Sequence, residues 1–156
     1  MSARSTVIAI ALVAAASLCA IAALPAYRDY AVRRQIAEGL KLASPYKTAV
    51  AAAWRSNGGR FADIDAKSFR PSLEREGRYV RSVDVVSGAI VITYGNAASA
   101  ALRGRSLTIV PALSATRAIE WQCAYGTAPA GFEAIFDTPS RLTDVPEEYL
   151  PSECRR

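Results

Sequence analysis

The first third of the chain shows two hydrophobic patterns in succession, an uninterrupted apolar run and then a one-sided stripe. The run covers residues 7–24 and holds 18 residues without a charge (VIAIALVAAASLCAIAAL). Past Pro25, apolar or small residues recur at intervals of three, four or seven, which is the period of one helical face. These positions are Val32, Ile36, Leu40, Ala43, Val50 and Trp54. The pattern predicts an amphipathic helix that begins almost where the apolar run ends.

Two prolines decide whether the two segments form one helix. If they are continuous, residues 5–55 form a rod of about 75 Å, because an α-helix rises 1.5 Å per residue. At Pro25 we then expect a kink rather than an end, since proline removes one internal hydrogen bond and crowds the preceding turn. Pro45 threatens the helix in the same way, and the sequence Asn57-Gly58-Gly59 is a clear stop signal.

The apolar run is compatible with three structures. At 1.5 Å per residue it spans about 27 Å, close to the hydrocarbon thickness of a bilayer. It therefore fits a cleaved secretory signal, with Ala20-Ile21-Ala22 as the cleavage site, or a retained anchor, and its length and charged flanks disfavour a buried core helix. Continuity with the following helix favours the anchor. The residues expected in the membrane or in a helix-packed core are Val7, Ile8, Ile10, Leu12, Val13, Leu18, Ile21 and Leu24.

The second half of the chain contains four strand-like runs. They cover residues 79–86, 89–94, 107–113 and 118–125, are rich in β-branched residues, and include a plausible tight turn at Ser87-Gly88. Pro111 lies near the end of the third run, which predicts an edge strand or a strand terminus. Four short strands joined by turns imply an antiparallel sheet, whose apolar face the helical stripe can cover. We therefore predict an α+β fold.

Composition and charge exclude only some classes of function. The net charge is +5, and arginine supplies 16 of the 19 basic residues. A basic surface fits an anionic partner such as nucleic acid or lipid headgroups, or it is simply solvated. Arg75, Arg78 and Arg81 surround Tyr79 and could bind single-stranded DNA, although the polar edge of a strand is the simpler interpretation. Histidine is absent, which argues against an enzyme. We predict no catalytic residue, no cofactor and no metal site.

The most specific pattern lies at the junction of the apolar run and the amphipathic helix. The sequence there reads ALPAYRDYAVRRQ, with Pro25, Ala26, Tyr27, Asp29 and Tyr30 in a Pro-Ala-Tyr-x-Asp-Tyr order, followed by Arg33 and Gln35. This order, placed directly after an apolar helix, closely resembles the type IV pilin family. The resemblance is strong over the junction and the helix, and over the sheet it rests on the pattern of strand-like runs.

The resemblance implies an architecture and a function. Residues 1–26 would form the transmembrane and assembly half of a long N-terminal helix, and residues 27–156 a globular head. In the head, helix residues 27–56 would lie against a four-stranded antiparallel sheet (79–125), after a connecting loop (57–78) and before a disulfide-bounded C-terminal loop (123–154).

The implied function is that of a major or minor structural subunit of a type IV pilus. It would be a single-pass inner-membrane protein before assembly and part of an extracellular filament afterwards, acting in adhesion and surface motility. Its partners would be other pilin subunits, the inner-membrane assembly machinery and membrane lipid. Two alternatives remain: a non-polymerising, membrane-anchored pilus accessory protein, and a DNA-receiving surface module for DNA uptake.

The cysteines fit the same family. Cys19 lies in the apolar run, Cys123 in a strand-like run and Cys154 next to the C-terminus, and no CxxC spacing supports zinc or redox chemistry. In pilins a cysteine pair commonly bounds a C-terminal loop, and IEWQC and LPSEC look like its two ends. A Cys123–Cys154 bridge would fasten a section with too little periodicity to hold itself. The alternative is two unpaired thiols.

The start of the chain departs from the family. Processed pilins usually carry a glycine followed by phenylalanine, and then a glutamate inside the apolar run that is held to pair with the terminal amine of a neighbouring subunit. Here the segment from Met1 to Asp29 contains neither an acidic residue before Asp29 nor a Gly-Phe pair, and the place of the glutamate falls near Ile8 or Ala9. Because a carboxylate in hydrocarbon is costly, families keep one only for a purpose. The departure fits an unprocessed, atypical or minor pilin, an altered start, or a misassigned one.

Overall fold

One helix forms the first third of the protein. The computed structural model describes residues 3–65, 76–135 and 142–156, and for residues 3–6 and 9–25 it describes the backbone alone. Helix α1, Ala3–Ser56, is an α-helix of 54 residues that continues through Pro25 and Pro45. It ends directly before Asn57, and Gly58 and Gly59 follow with φ of +65° and +78°. The prediction of a single long helix with a glycine stop is confirmed.

The chain divides into two compact units, Met1–Ala31 and Val32–Arg156. Within the described residues, none of the helical segments combines the length and the hydropathy that crossing a bilayer requires. Of the residues predicted for a membrane or a helix-packed core, Val7 and Ile8 are exposed. The structure does not describe the side chain of Pro25 or those of the remaining predicted residues. These remaining residues are Ile10, Leu12, Val13, Leu18, Ile21 and Leu24.

The second unit, which we call the head, buries the predicted stripe of α1. Every stripe position is buried except Leu40, which is half-buried and packs against the core. Gln35, Gly39 and Tyr46 are also buried on this face. The stripe therefore covers the sheet as predicted, and the solvent side of the same helix half carries small and basic side chains.

Four antiparallel strands follow in the order β1-β2-β3-β4. Their bounds are Val80–Val86 (β1), Ala89–Tyr94 (β2), Ser106–Ser114 (β3) and Ile119–Cys123 (β4). β1 and β2 are joined by the two-residue turn Ser87-Gly88, whose φ angles are both positive, +50° and +82°. Such a turn matches the right-handed twist of the flanking strands. All four predicted strands are thus present.

A fifth strand, β5 (Phe132–Ala134), is absent from the prediction. Ala112 and Leu113 pair with both β4 and β5, so those strands lie on opposite edges of β3. Ile109 pairs with both β2 and β4, so β2 and β5 share one edge. The Pro111 carbonyl accepts a hydrogen bond from Ile135 N (3.2 Å), so the missing N–H of Pro111 faces the gap between β2 and β5. The prediction that Pro111 marks an edge or terminus is wrong, because this gap tolerates proline inside a central strand.

Hydrogen bonds fasten α1 to the rest of the head. The Gln35 side chain accepts a hydrogen bond from Ser99 N, and Glu38 accepts one from Tyr79 N, both at 2.8 Å. The Tyr94 hydroxyl donates to the Ile36 carbonyl at 3.2 Å. A Cβ at Gly39 would lie 2.5 Å from that hydroxyl oxygen, so glycine allows the ring to approach the helix. Burial, and secondarily the charge of Glu38, raise the pKa of Tyr94 far above its usual range.

Candidate functional site: helix junction, C-terminal clamp and arginine patch

The predicted junction presents an exposed aromatic pair. Residues 26–30 are all exposed, with Tyr27 at 69% and Tyr30 at 57% of their full accessible surface. Because residues three apart on a helix are neighbours, the two rings lie on one side of α1. Val7 and Ile8, in the same unit, are also exposed. The junction motif therefore places two exposed tyrosine rings on one side of the helix.

The disulfide closes the C-terminal section. Cys123, the last residue of β4, is bonded to Cys154, which ends the short 3₁₀ helix Ser152–Cys154, over a separation of 31 residues. Both cysteines are buried. The predicted pairing is confirmed. Closing a loop of this length stabilises the fold by about 3–4 kcal/mol through the lost entropy of the unfolded chain.

Residues 142–156, which we call the C-terminal clamp, complete the edge of β3. β4 pairs with β3 only from Ile109 onward. In the part of β3 that precedes Ile109, the clamp takes the place of β4. Asp144 N donates to the Ser106 carbonyl (3.0 Å), and Ser106 N donates to the Asp144 carboxylate. Thr108 N donates to the Thr143 hydroxyl oxygen (3.0 Å). The side chains of Thr143 and Asp144 therefore replace the backbone groups of a neighbouring strand.

Sequence reasoning missed this role of the clamp. Thr and Asp side chains can imitate backbone hydrogen-bond partners, so the Thr-Asp pair was the available signal. It gives no information about which strand the pair will contact. The structure also buries Val145 and Leu150 completely, although no periodicity marks them as core residues.

Tyr125, which follows β4, also contacts the clamp. Its hydroxyl donates to the Thr143 carbonyl at 2.9 Å, with Val145 O at 3.3 Å, and its backbone N donates to the Cys154 carbonyl at 3.0 Å. The Arg156 guanidinium lies 5.0 Å from the ring centre. Burial raises the pKa of the Tyr125 hydroxyl, although the charge of Arg156 opposes this. At Gly126 a Cβ would lie 2.1 Å from the Glu153 carbonyl oxygen, so the close approach requires glycine.

Lys47 connects the helix to β4 and to the clamp. Its Nζ lies 5.9 Å from the centre of the Trp121 ring. Burial lowers the pKa of Lys47, and the carboxylates of Glu120 and Glu153 raise it in turn. One half-buried amine is therefore close to two exposed carboxylates, one on β4 and one on the clamp.

The predicted arginine patch lies at the first strand of the sheet. Arg78 and Arg81 are exposed, and Arg75 lies outside the described residues. The Arg78 guanidinium is 5.3 Å from the centre of the Tyr79 ring, and the Arg81 side chain packs against Gly95. β1 ends the strand order, so both arginines border the outer edge of the sheet. Within the described ranges, no group of three or more Cys, Asp and Glu side chains could hold a metal ion.

Comparisons with known proteins agree with this architecture. A family profile described as pilin, a bacterial filament protein, matches residues 32–155. The chain is similar to a fimbrial protein of Neisseria meningitidis serogroup A, with 28% identity over 149 residues that cover 92% of this chain and 87% of the relative.

Two further relatives show the same level of similarity. A type IV major pilin protein, PilE1, of Neisseria gonorrhoeae is 28% identical over 92% of this chain and 68% of its own length. The fimbrial protein EcpC of Eikenella corrodens is 28% identical over 92% and 83%. The profile spans the head from the start of its buried helix stripe to the clamp, and on this ground the chain belongs to the pilin family.

Proposed function

We propose that this chain is a structural subunit of a type IV pilus and polymerises with other pilin subunits into a filament on the cell surface. The observation that carries the proposal is the family match across the whole head, joined to a helix that begins at Ala3, far ahead of the matched region. The relatives named as fimbrial proteins and major pilins align over 92% of the chain, which supports the filament subunit over an accessory role.

Polymerisation would use residues 1–26 as the assembly half of the helix. The 18 uncharged residues at 7–24 offer apolar side chains all around the helix. Keeping each Leu, Ile or Val side chain in a filament core, instead of leaving it exposed to water, contributes about 1.5–3 kcal/mol. Such contacts are non-directional, so the exposed Tyr27 and Tyr30 would help to set the axial position of one subunit against the next.

Before assembly, we assign the same run to the inner membrane as a single-pass anchor. Its length of about 27 Å matches the hydrocarbon thickness of a bilayer. Lipid tails and neighbouring helices are both apolar surroundings that keep apolar side chains away from water. Extraction from the membrane into a filament by the assembly machinery would then exchange one apolar environment for another. Residues 27–156 would stay outside the bilayer throughout, and the filament would act in adhesion and surface motility.

The head has a structural rather than a catalytic role in this proposal. Its buried polar side chains, Gln35, Thr108 and Thr143, are engaged in contacts that hold the helix and the clamp in place. The disulfide and the clamp would keep the head folded outside the cell, where disulfides persist.

One observation favours the accessory alternative. No acidic residue lies between Met1 and Asp29, so the helix cannot form a carboxylate–amine pair inside a filament core. In our proposal the apolar contacts alone carry the assembly.

Expression of this chain as the only pilin of a piliated host would test the proposal. We expect filaments that react with an antibody against the head. The control is Leu12→Arg, which places a charge in the apolar run at a cost of about 2.5–3.5 kcal/mol and should abolish filaments. Absence of filaments from the unsubstituted chain, with disulfide-bonded protein stable in the membrane fraction, would contradict polymerisation and support the accessory role.

A further inference from the structure

The head has charged groups of opposite sign at its two outer edges. β1 and β4 lie at the two ends of the strand order. Neighbouring strands are about 4.8 Å apart, so roughly 14 Å separates these edges. We call the corner formed by Arg78, Arg81 and Arg103 the arginine edge, and the group formed by Glu120, Glu148 and Glu153 the carboxylate edge. All six side chains belong to exposed residues.

The arginine edge lies where the start of β1 meets the loop between β2 and β3. Ala97 N donates to the Arg78 carbonyl, and Gly95, which touches the Arg81 side chain, donates to the Tyr79 carbonyl. Arg103 donates to a carbonyl of the same loop. Arg33 of α1 is exposed two residues from Gln35, which binds Ser99 in this loop.

The positive charge of this corner is only partly compensated. Among the residues that the structure describes, the acids nearby are exposed Glu76 and half-buried Glu38, and Glu38 already accepts the Tyr79 N–H. Asp84, further along β1, has a partner of its own. Arg78 and Arg81 form no ion pair with any residue in the described ranges.

The carboxylate edge lies on β4 and on the clamp. Glu120 and Glu153 are close enough to Lys47 to raise its pKa, but this single amine is half-buried beside Trp121. Three other basic groups of the described part of the clamp and of β3's flank are already engaged. Arg155 donates to the Leu150 carbonyl, Arg105 donates to the Asp144 carbonyl, and Arg156 lies between Tyr125 and the Glu147 carboxylate.

We propose that the arginine edge of one subunit docks on the carboxylate edge of a second copy of this chain. The proposal rests on the function proposed above. An open-ended polymer needs two different, complementary patches on each subunit, placed so that both can be occupied at once. The Debye length at physiological ionic strength is about 8 Å, which is less than the roughly 14 Å between the strands at the two edges, so the two charged groups scarcely neutralise each other and remain available to neighbours. Charge complementarity of this kind sets partner choice and register.

The test is a charge exchange in cells whose only pilin is this chain. One variant carries Arg78→Glu and Arg81→Glu, a second carries Glu120→Arg and Glu153→Arg, and a third carries all four. Arg55→Glu with Arg60→Glu, near the end of α1, changes the net charge as much as the first variant and serves as the matched control. The readout is the fraction of subunit recovered in sheared filaments, with total subunit and its disulfide followed on non-reducing gels.

We expect each two-residue reversal to lower the sheared fraction at least about fivefold, since two exposed ion pairs are replaced by like charges. The four-residue variant should return to within about twofold of the unsubstituted chain, because a pair of exchanged charges attracts as strongly as the original pair. The control should stay close to the unsubstituted chain. Filaments of the unsubstituted chain should also dissociate more readily at high salt than at low salt.

Four results would overturn the inference. The first is unchanged filament yield in both reversal variants, and the second is a four-residue variant no better than either of them. The third is filament stability that does not depend on salt, a measurement on the unsubstituted chain that stands even if a variant fails to fold. If the arginine variant keeps its filaments but they lose binding of single-stranded DNA, the patch belongs to a nucleic-acid partner and the inference is wrong. Failure of the unsubstituted chain to make filaments would instead contradict the proposed function.

Discussion

The amphipathic half of α1 and the C-terminal clamp both pack on the same sheet, but different interactions hold them. The helix buries a regular stripe that includes Ile36, Val50 and Trp54, and polar contacts such as that of Gln35 with Ser99 supplement it. The clamp has no regular stripe. It is attached by side chains that pair with the β3 backbone, by two isolated core residues and by the disulfide.

This difference has a consequence for stability and for function. Periodic burial is distributed over many contacts, so the helix should tolerate the loss of any single polar contact. The clamp depends on a few specific groups, and its loss would uncover the β3 backbone at Ser106 and Thr108. An uncovered strand edge is a template for pairing with another chain, so we expect the clamp to protect a secreted subunit from aggregation.

Removal of the disulfide should have the largest effect and should separate the two regions. In the variant Cys123→Ala with Cys154→Ala, we expect the free energy of unfolding to fall by about 4 kcal/mol, because the unfolded chain regains the entropy of a 31-residue loop. The measurement is denaturant unfolding of the full chain in detergent, followed by tryptophan fluorescence. Amide hydrogen exchange should accelerate first at Ser106 and Thr108, and only later at Tyr79 and Ser99, whose N–H groups bind α1 side chains. Equal acceleration at all four amides would show that clamp and helix unfold together.

Loss of one stripe residue should come next. Ile36→Ala removes a fully buried side chain from the middle of the helix–sheet contact and should cost about 3 kcal/mol. The matched control is Thr48→Ala on the solvent side of the same helix half, which should change stability by less than about 0.5 kcal/mol. If the two variants unfold alike, the stripe does not hold the helix on the sheet.

The difference between the helix and the clamp also explains which parts of the fold could be predicted from the sequence. The helix stripe and the four strands follow local periods that the sequence displays directly, and the Ser87-Gly88 turn has its own signature. β5 is only three residues long and lies in a section without alternation, so no period marks it. The prediction for Pro111 is wrong because the tolerance of proline in a central strand depends on the gap between two other strands, which is a tertiary property.

The functional surfaces were predictable to a smaller extent. The junction motif and the cysteine pair were identified through resemblance to a family, and the structure shows the disulfide. The clamp contacts could not be predicted, since Thr143 and Asp144 bind residues more than 30 positions away. The arginines at the start of β1 were visible as a cluster, but the carboxylates at the opposite edge come from two separate parts of the chain.

A single clamp contact should have a moderate effect. Thr143→Val keeps the shape of the side chain but removes the oxygen that accepts the Thr108 N–H in a buried position. Leaving a buried donor without a partner costs about 1–3 kcal/mol, and we expect a value near the middle of that range. Thr48→Val, at an exposed helix position, is the control for the same exchange. Exchange at the Thr108 amide should accelerate, while exchange at Ser99 should not, and a change at both would contradict a local role.

The smallest predicted effect is a pH dependence of stability that involves two tyrosines, one in contact with each region. Tyr94 fastens the helix and Tyr125 the clamp. Burial raises the pKa of Tyr94 above its ordinary value, so above pH 10 the unfolded chain releases a proton that the folded chain keeps. This contribution to stability is complete below about pH 10 and is lost as the pH rises, by about 1.4 kcal/mol at pH 11.

Lys47 acts in the opposite direction over the same range. Burial lowers its pKa, so the unfolded chain binds more protons than the folded chain, and this contribution rises with pH until both states are neutral. Comparing Tyr94→Phe with the unsubstituted chain cancels the Lys47 contribution, because both proteins contain it. We expect the difference in unfolding free energy between the two to shift in favour of Tyr94→Phe by about 1.4 kcal/mol between pH 9 and pH 11. Tyr125→Phe, whose ring is only partly buried, should show a much weaker pH dependence, and an equal or larger one would assign the alkaline loss to the clamp instead of the helix.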